Sequence, residues 1–549
     1  MPTSVLRVRP LHTGRPALLG AALLALASFA TAATSISVDV ATKLRTVDER
    51  VFGLNTTIWD PYVNTAETIS LLNAAGVRML RFPGGSLSDE YHWQTNTSLN
   101  NTWQWATDTD DFLNLAKQTG AQAVITANYG TGTPAEAAAW VTYCNVTKSA
   151  GFKYWEIGNE NYGSWEADSQ SRPHDPFTYA NRAKDYIALM KAADPTIKVG
   201  VVVTLAREEY ATYTDHPVTN SRTGATQNGW NAVLLSTLRT LGVTPDFVAL
   251  HRYDGAPGQE SDSALLQKAR TWPEDIAALR QQLTDYLGAT GSGVEILVTE
   301  NNSVYSNPGK QTTSLVNALY LADSVGNLLQ TEVNALTWWD LRNGQDNGNN
   351  NAASLYGWRA YGDYGIVSSP SSFGSSTAYD CYPTYYAFKL LAKFARGGDR
   401  LVQVTTGDTL LSAFGCLGAD GKLRLLVVNK SPSATTSATI SVSGFTPAAN
   451  ATTYTYGMVE DNAARTGSGA KDIATGSIAN AAASFSTNFE PYSITVLTFT
   501  AGTSSGGGSS GGGSSGGGSS GGGGGGAVAL WFALALAGLG RLRLRGHRG

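Results

Sequence analysis

The sequence predicts an α/β protein, a (β/α)8 TIM barrel carrying an accessory β-sandwich domain. Three observations predict it. Eight short strand-like runs alternate with helical stretches between residues 51 and 395. Polar and aromatic residues collect at the C-terminal ends of those runs, where a closed parallel barrel builds its sites. Beyond residue 396 the alternation stops, and short strands separated by Gly, Pro and Asn take over. An open doubly wound sheet would call for a glycine fingerprint for a dinucleotide, and none is seen.

The elements follow in order. Residues 1–32 read as a signal peptide: Arg7, Arg9 and Arg15 precede an apolar run, Ala17–Ala27, and Ala30-Thr31-Ala32 is a small-residue cleavage pattern. Ile36–Val40, within residues 33–50, alternates as a strand and is expected to join the sandwich. The barrel strands are expected at Val51–Asn55, Arg78–Phe82, Ala123–Asn128, Tyr154–Glu160, Lys198–Thr204, Phe247–Tyr253, Glu295–Glu300 and Ala335–Leu341. Helices are expected between them at Thr65–Ala75, Asp110–Thr119, Pro134–Ser149, Phe177–Ala193, Gly229–Leu241, Pro273–Leu287 and Thr312–Gln330, with Tyr385–Phe394 closing the set. Residues 396–502 hold the remaining sandwich strands. Residues 503–526 are a Gly/Ser tract too polar to fold. Residues 527–549 join an apolar run to the basic stretch Arg541–Arg548 and are expected to engage a membrane, as a transmembrane anchor, or a sorting protease. The three parts of this tail resemble a GlyGly-type bacterial sorting signal. A secreted or cell-surface protein is expected.

Bulk composition narrows the classes. A 42% hydrophobic content supports a large core, and only 15% charged residues leaves a surface of uncharged polar groups and aromatics. The net charge of −4 gives no field that favours nucleic acid. Cys144, Cys381 and Cys416 form neither a metal spacing nor a disulfide framework.

The chemistry-bearing residues fall at strand ends. Glu160 ends the fourth strand and Glu300 the seventh, which face each other across a barrel mouth. Two carboxylates about 5–5.5 Å apart support glycoside hydrolysis with retention, and about 6.5–9.5 Å with inversion. Arg81 and Tyr253, ending strands two and six, are expected to keep Glu300 ionised as the nucleophile. Trp155, Tyr162 and Trp165 neighbour Glu160, with no evident cation, so desolvation is expected to raise its pKa as a general acid requires. Asn159 is placed to bond a sugar hydroxyl. Asn128 and His251 also end strands. Of the adjacent Trp338 and Trp339, which face opposite ways, Trp338 is expected to floor the pocket. Asp89 and Glu90 read as a solvated loop, and Glu156 as a buried, paired acid.

At these residues the chain resembles clan A glycoside hydrolases, and within that clan the family 51 α-L-arabinofuranosidases. The resemblance is carried by Arg81-Phe-Pro-Gly-Gly85, Gly158-Asn-Glu-Asn-Tyr-Gly-Ser-Trp165 and Leu250-His-Arg-Tyr253, together with the barrel-plus-sandwich layout. It implies Glu160 as acid/base, Glu300 as nucleophile, Asn159 as partner of the 2-hydroxyl, Arg81 and Tyr253 as holders of the nucleophile, and His251 lining the site. It implies no metal or organic cofactor, and a polysaccharide or oligosaccharide substrate. The chain departs from the family at four positions: Asn55 stands for an arabinose-binding Glu, Ser86 for an Asn after the Pro-Gly-Gly turn, and Thr299 and Asn301 for the Asp and Trp on either side of the nucleophile. Endo-β-glycanases, β-xylosidases and β-glucuronidases of the same clan use the same carboxylate pair. A non-catalytic carbohydrate-binding surface protein is the remaining alternative.

Overall fold

The structure is a computed structural model that describes residues 34–99, 101–205, 209–370 and 378–502. The expectations for residues 1–32 and 503–549 therefore lie outside the described residues. The transmembrane expectation is corrected: among the described residues no helix is long and apolar enough to cross a membrane.

Eight parallel strands close into a barrel in chain order: Gly53–Asn55, Met79–Phe82, Gln122–Ala127, Tyr154–Ile157, Lys198–Val203, Phe247–Gly255, Glu295–Val304 and Ala335–Trp338. The eighth pairs back onto the first, with Thr337 opposite Gly53 and Trp338 opposite Leu54. Away from their C-terminal ends these strands are mostly apolar, as in Lys198–Val203, because helices cover one face and the barrel interior fills the other. The helices between them start where side chains satisfy their free N–H groups. Asp108 and Asp111 form a reciprocal capping box at the start of Thr109–Thr119. Asp175 accepts from Phe177 and Thr178 at the start of Pro176–Ala193, whose first residue is a proline.

One register feature bears on the site. Strands six and seven pair as Val298 with Leu250 and then Glu300 with His251, so Thr299 is an extra residue in a bulge. A bulge re-aims the side chains beside it, and here these are Glu300 and His251.

The second sheet has nine strands, ordered Ala474–Ala479, Pro447–Gly457, Ser493–Ala501, Leu423–Asn429, Leu411–Leu417, Arg400–Thr406, Thr34–Thr46, Thr436–Ser443 and Ser484–Phe489. It is antiparallel except where Thr34–Asp39 runs parallel to Ala438–Ser443. The expected sandwich is thus one continuous sheet that curls over itself. Phe485 and Phe499 belong to strands six places apart, about 28 Å in a flat sheet, yet their ring centroids lie 5.8 Å apart. Ala474–Ala479 and Ser484–Phe489 were not expected from the sequence. They are short edge strands dominated by Ala, Ser and Thr, whose only large apolar residues are Ile478, Phe485 and Phe489, which leaves little apolar alternation to read.

Leu423–Asn429 shows how sheet and barrel join. Leu423, Leu425 and Val427 point into the sheet's own core, while Leu426 and Val428 join the barrel core. The junction also holds a fully buried ion pair. Lys430 Nζ lies 2.9 Å from Asp323 Oδ2, on the helix Leu315–Leu329, and 2.9 Å from Ser412 Oγ.

Candidate active site

A cavity of about 1030 Å³ opens at the C-terminal ends of the barrel strands. Glu160, His251, Tyr253 and Glu300 line it, with Asn159 and Trp339 beside them.

The fourth strand delivers the first carboxylate. Within it Trp155 packs outward against Trp140 and Glu156 points into the barrel, as the alternation of a strand requires. The chain then turns through Gly158 at φ 72°, where a Cβ would strike the Asn161 side chain, so only glycine fits. Glu160 itself sits at φ 41°, an uncommon conformation for a residue with a side chain. This strained turn aims Glu160 into the cavity. The bulge at Thr299 aims Glu300 at it from the seventh strand.

Arg81 is the hub. Fully buried, it donates from Nε to Glu156 at 2.7 Å, from Nη1 to Glu300 Oε1 at 2.8 Å and to Asn55 at 3.0 Å, and from Nη2 to Asn159 Oδ1 at 2.8 Å. Burial opposes its charge, but Glu156 and Glu300 outweigh that and raise its pKa. Tyr253 donates its hydroxyl to the other oxygen of Glu300. Glu300 is thereby gripped at both oxygens, the pairing expected for it.

Glu160 departs from expectation. Burial pushes its pKa up, but the hydrogen bond and charge of His251, with help from Trp165, prevail and the pKa is lowered. His251 Nδ1 lies 2.7 Å from Glu160 Oε1, and Trp165 Nε1 donates to Oε2 at 2.8 Å. The Thr299 hydroxyl donates to Glu156 at 3.0 Å, so its oxygen is left to accept from His251 Nε2 at 3.1 Å. His251 then donates through both ring nitrogens, which is the cationic imidazolium. Burial lowers its pKa, but Glu300 and Glu160 outweigh burial and raise it. The cation absent from the sequence neighbourhood of Glu160 thus comes from the sixth strand.

The facing carboxylates are close. One oxygen of Glu160, one of Glu300 and a ring nitrogen of His251 all lie within 4.8 Å of one another. Such a trio is a conceivable metal set, but a histidine that donates through both nitrogens has no lone pair for an ion, and both oxygens of each carboxylate are already engaged.

Three expected site residues lie elsewhere. Trp338 is fully buried against Tyr320, and Trp339 floors the cavity instead, its ring against Gly85. The eighth strand ends at Trp338, three residues before its expected end, with Trp338 on the face covered by the helices, so the next residue, Trp339, turns to the cavity. Asn128 does not line the cavity: its side-chain oxygen accepts from Thr131 N and Gly132 N and its amide donates to Tyr91 O, so it shapes the loop after strand three. Asn55 is buried, donating to the carbonyls of Thr299, Thr337 and Trp338 while accepting from Arg81. It braces Arg81 and does not reach the cavity. Asn301 is likewise sequestered, bonded to Arg252 O and Tyr320.

Two acids read differently from the sequence. Asp89 is fully buried, not solvated. It accepts from Asn159 N and Asn161 at one oxygen and from Tyr129 N and Gly130 N at the other. Burial outweighs those bonds and pushes its pKa up to about 7. Glu166, not anticipated at all, accepts from Ser86 at 2.8 Å and from the Asn159 amide at 3.0 Å, and its second oxygen is buried without a partner. Burial, then the charges of Asp89 and Glu160, drive its pKa well above the usual carboxylate range. Neither acid sits in a periodic apolar pattern, so no sequence signal marks them as buried. At the cavity rim Trp165, Tyr210 and Tyr305 are substantially exposed.

A parallel barrel with facing carboxylates at strands four and seven is the geometry on which the comparisons bear. No protein-family model matches the chain. A 160-residue stretch, 24% of this chain and 31% of the relative's length, is 28% identical to the probable alpha-L-arabinofuranosidase C of Aspergillus fumigatus. The match therefore spans about a third of that curated relative. The alpha-L-arabinofuranosidase of Thermotoga maritima, solved with arabinose, superposes with a TM-score of 0.64 at 20% identity, over 85% of this chain and 99% of that one. A family 44 xyloglucanase from Paenibacillus polymyxa does so with a TM-score of 0.62 at 14% identity, over 85% and 99%. The barrel with its second sheet is thus the fold of these solved glycoside hydrolases.

Proposed function

We propose that the chain is a retaining glycoside hydrolase acting on polysaccharide or oligosaccharide, with an α-L-arabinofuranosidase-like activity as the leading reading. The observation that carries it is the carboxylate pair. Oxygens of Glu160 and Glu300 lie within 4.8 Å of one another, which fits the short carboxylate spacing of retaining enzymes, about 5–5.5 Å, better than the roughly 6.5–9.5 Å of inverting ones.

In this mechanism Glu300, oriented by Arg81 and Tyr253, attacks the anomeric carbon. Glu160 protonates the departing oxygen, and the glycosidic bond breaks as the Glu300–sugar ester forms. Glu160 then takes a proton from water, which attacks the ester and frees the sugar and Glu300. Glu160 and His251 share the proton the first step needs: the free site holds it on His251, 2.7 Å from Glu160, and a sugar covering the pair moves it to the carboxylate. Asn159 lines the cavity with its amide oxygen committed to Arg81 and one amide N–H to Glu166, which leaves its second N–H for a sugar hydroxyl. Trp339 offers an apolar floor for the ring.

The arabinofuranosidase reading is supported by the curated relative and the resemblance of three strand-end motifs. One observation favours an endo-acting glycanase of the same clan: Asn55, at the position of the arabinose-binding acid, is turned away from the cavity and bonded to three carbonyls. Export, with a tail trimmed by a sorting protease, remains part of the proposal on the sequence of residues 1–32 and 503–549 alone.

The deciding experiment is hydrolysis of a panel of aryl glycosides and polysaccharides by wild type, Glu160→Ala and Glu300→Gln, with the anomer of the first product followed by proton NMR. Retained configuration, lost in Glu300→Gln, is expected. Inversion, or full turnover by Glu300→Gln, would overturn the mechanism. Release of oligosaccharides without action on aryl arabinoside would transfer the mechanism to the glycanase reading.

A further inference from the structure

We infer that a second carbohydrate-binding site, for an extended uncharged polysaccharide chain, lies in the cavity around Trp358. This rests on the reading of the barrel cavity as a glycan-cleaving site. The cavity measures about 840 Å³ and is walled on one side by barrel loops, through Asp262, Lys310 and residues 353–358, and on the other by the second sheet and the helix Met458–Thr466.

Its lining has the two elements a sugar ring requires, an apolar platform and planar polar groups around it. Trp358 is 39% exposed, and its indole N–H donates to Asp461 at 3.3 Å, which fixes the ring's orientation. The Arg359 guanidinium stacks on the ring 4.0 Å from its centroid. Tyr356 and Tyr492 meet edge to face at 5.2 Å in the same wall. Val459, on the first turn of the helix, is 72% exposed and borders the cavity. The exposed Trp and Val beside one concavity offer an apolar platform for the face of a sugar ring.

The charges bear on the ligand: the lining acids Asp262 and Asp461 are matched in number by Lys310 and Arg465, and the buried Arg359 behind Trp358 is paired with Asp461, so the walls present no strong field for an anion or a cation. A neutral hydroxylated ligand suits them. Position supplies its length. Tyr305, 61% exposed, and Ser306 line the catalytic cavity, and Lys310 lines this one. Four peptide steps separate Ser306 from Lys310, at most about 14 Å. A polymer held in the barrel cleft and running over Tyr305 arrives at Trp358.

The test compares Trp358→Ala and Val459→Asp with the parent chain. Val459→Asp removes no internal hydrogen bond, so it guards against a folding defect in Trp358→Ala. Binding to arabinan, arabinoxylan and β-glucan is measured by affinity electrophoresis in a Glu300→Gln background. Turnover of the best aryl glycoside is measured with Glu300 intact. Both variants are expected to weaken polymer binding about tenfold, as loss of an anchoring aromatic does, and to leave aryl glycoside turnover within about twofold. Unchanged polymer binding in both variants, with glycans still cut, would overturn this inference and leave the catalytic reading standing. A wild-type oligomer in sedimentation that both variants dissolve, with polymer binding intact, would make the cavity a chain–chain contact and also overturn it. A wild type that neither binds nor cuts any glycan would overturn the catalytic reading and this one with it.

Discussion

Arg81→Lys is the substitution that most directly probes the site. It keeps the positive charge and removes the planar fork. Arg81 makes four contacts of 2.7–3.0 Å to Glu156, Glu300, Asn55 and Asn159, from three different nitrogens. A single ammonium cannot stand that close to all of them. If it stays on Glu156, which is fully buried, Glu300 and Asn159 lose their donor; if it moves to Glu300, Glu156 keeps only the hydroxyls of Thr126 and Thr299. Breaking a buried pair outright costs about 3–5 kcal/mol, and a charged hydrogen bond about 1.5–3 kcal/mol. Retaining charge but losing the bonds to one carboxylate and one amide should cost about 2–4 kcal/mol of stability. The nucleophile loses the donor that aims it, so kcat should fall by at least about a hundredfold, or about 2.7 kcal/mol of barrier. Guanidinium denaturation gives the first number and kcat on the best panel substrate the second. An Arg81→Lys chain within about 0.5 kcal/mol and threefold of wild type would refute the claim that the fork, and not the charge alone, organises the site.

Further outcomes follow from the same geometry. Glu160→Ala should lose far more activity on substrates with basic leaving groups than on activated aryl glycosides, because only the former need the proton; equal losses on both would remove Glu160 from the acid role. The alkaline limb of the kcat/KM profile should lie above the ordinary histidine value of about 6.5, since the carboxylates hold the proton on His251, and His251→Gln should abolish that limb. Glu166→Gln should leave stability near wild type around pH 4 and exceed it increasingly as the pH rises from there. The sign follows because the raised folded pKa means the unfolded chain releases its proton first, so wild type loses stability as pH rises from about 4.3 toward the folded value; a difference that does not change with pH would count against a neutral Glu166. Asp323→Ala strands Lys430 in the barrel–sheet junction and should cost about 3–5 kcal/mol in denaturation while leaving kcat per folded molecule unchanged. Trp339→Ala should raise KM, whereas Trp338→Ala should leave KM near wild type while costing about 3–5 kcal/mol as a cavity in the core; a raised KM in Trp338→Ala alone would restore Trp338 to the pocket.

The alternation of apolar runs and helical stretches by itself determined the barrel, because a strand buried on both faces is mostly apolar and each helix must present one apolar side. It also determined where Glu160 and Glu300 stand, since strand ends on one rim of a closed parallel barrel necessarily meet. Arg81 and Tyr253 were legible as partners of Glu300 for the same reason. Tertiary structure alone decided the rest. Whether Trp338 or Trp339 faces the cavity turns on a single residue of phase, and a strand reverses its faces with every step. The pKa of Glu160 depends on His251, 91 positions away in sequence and 2.7 Å away in space, so its immediate neighbours predicted the wrong direction. Asp89 and Glu166 became buried acids only when the loops after strands two and four closed over one another and supplied backbone and amide donors. Charge burial is a property of the walls around a group, and for these two acids the walls come from segments that no local pattern connects.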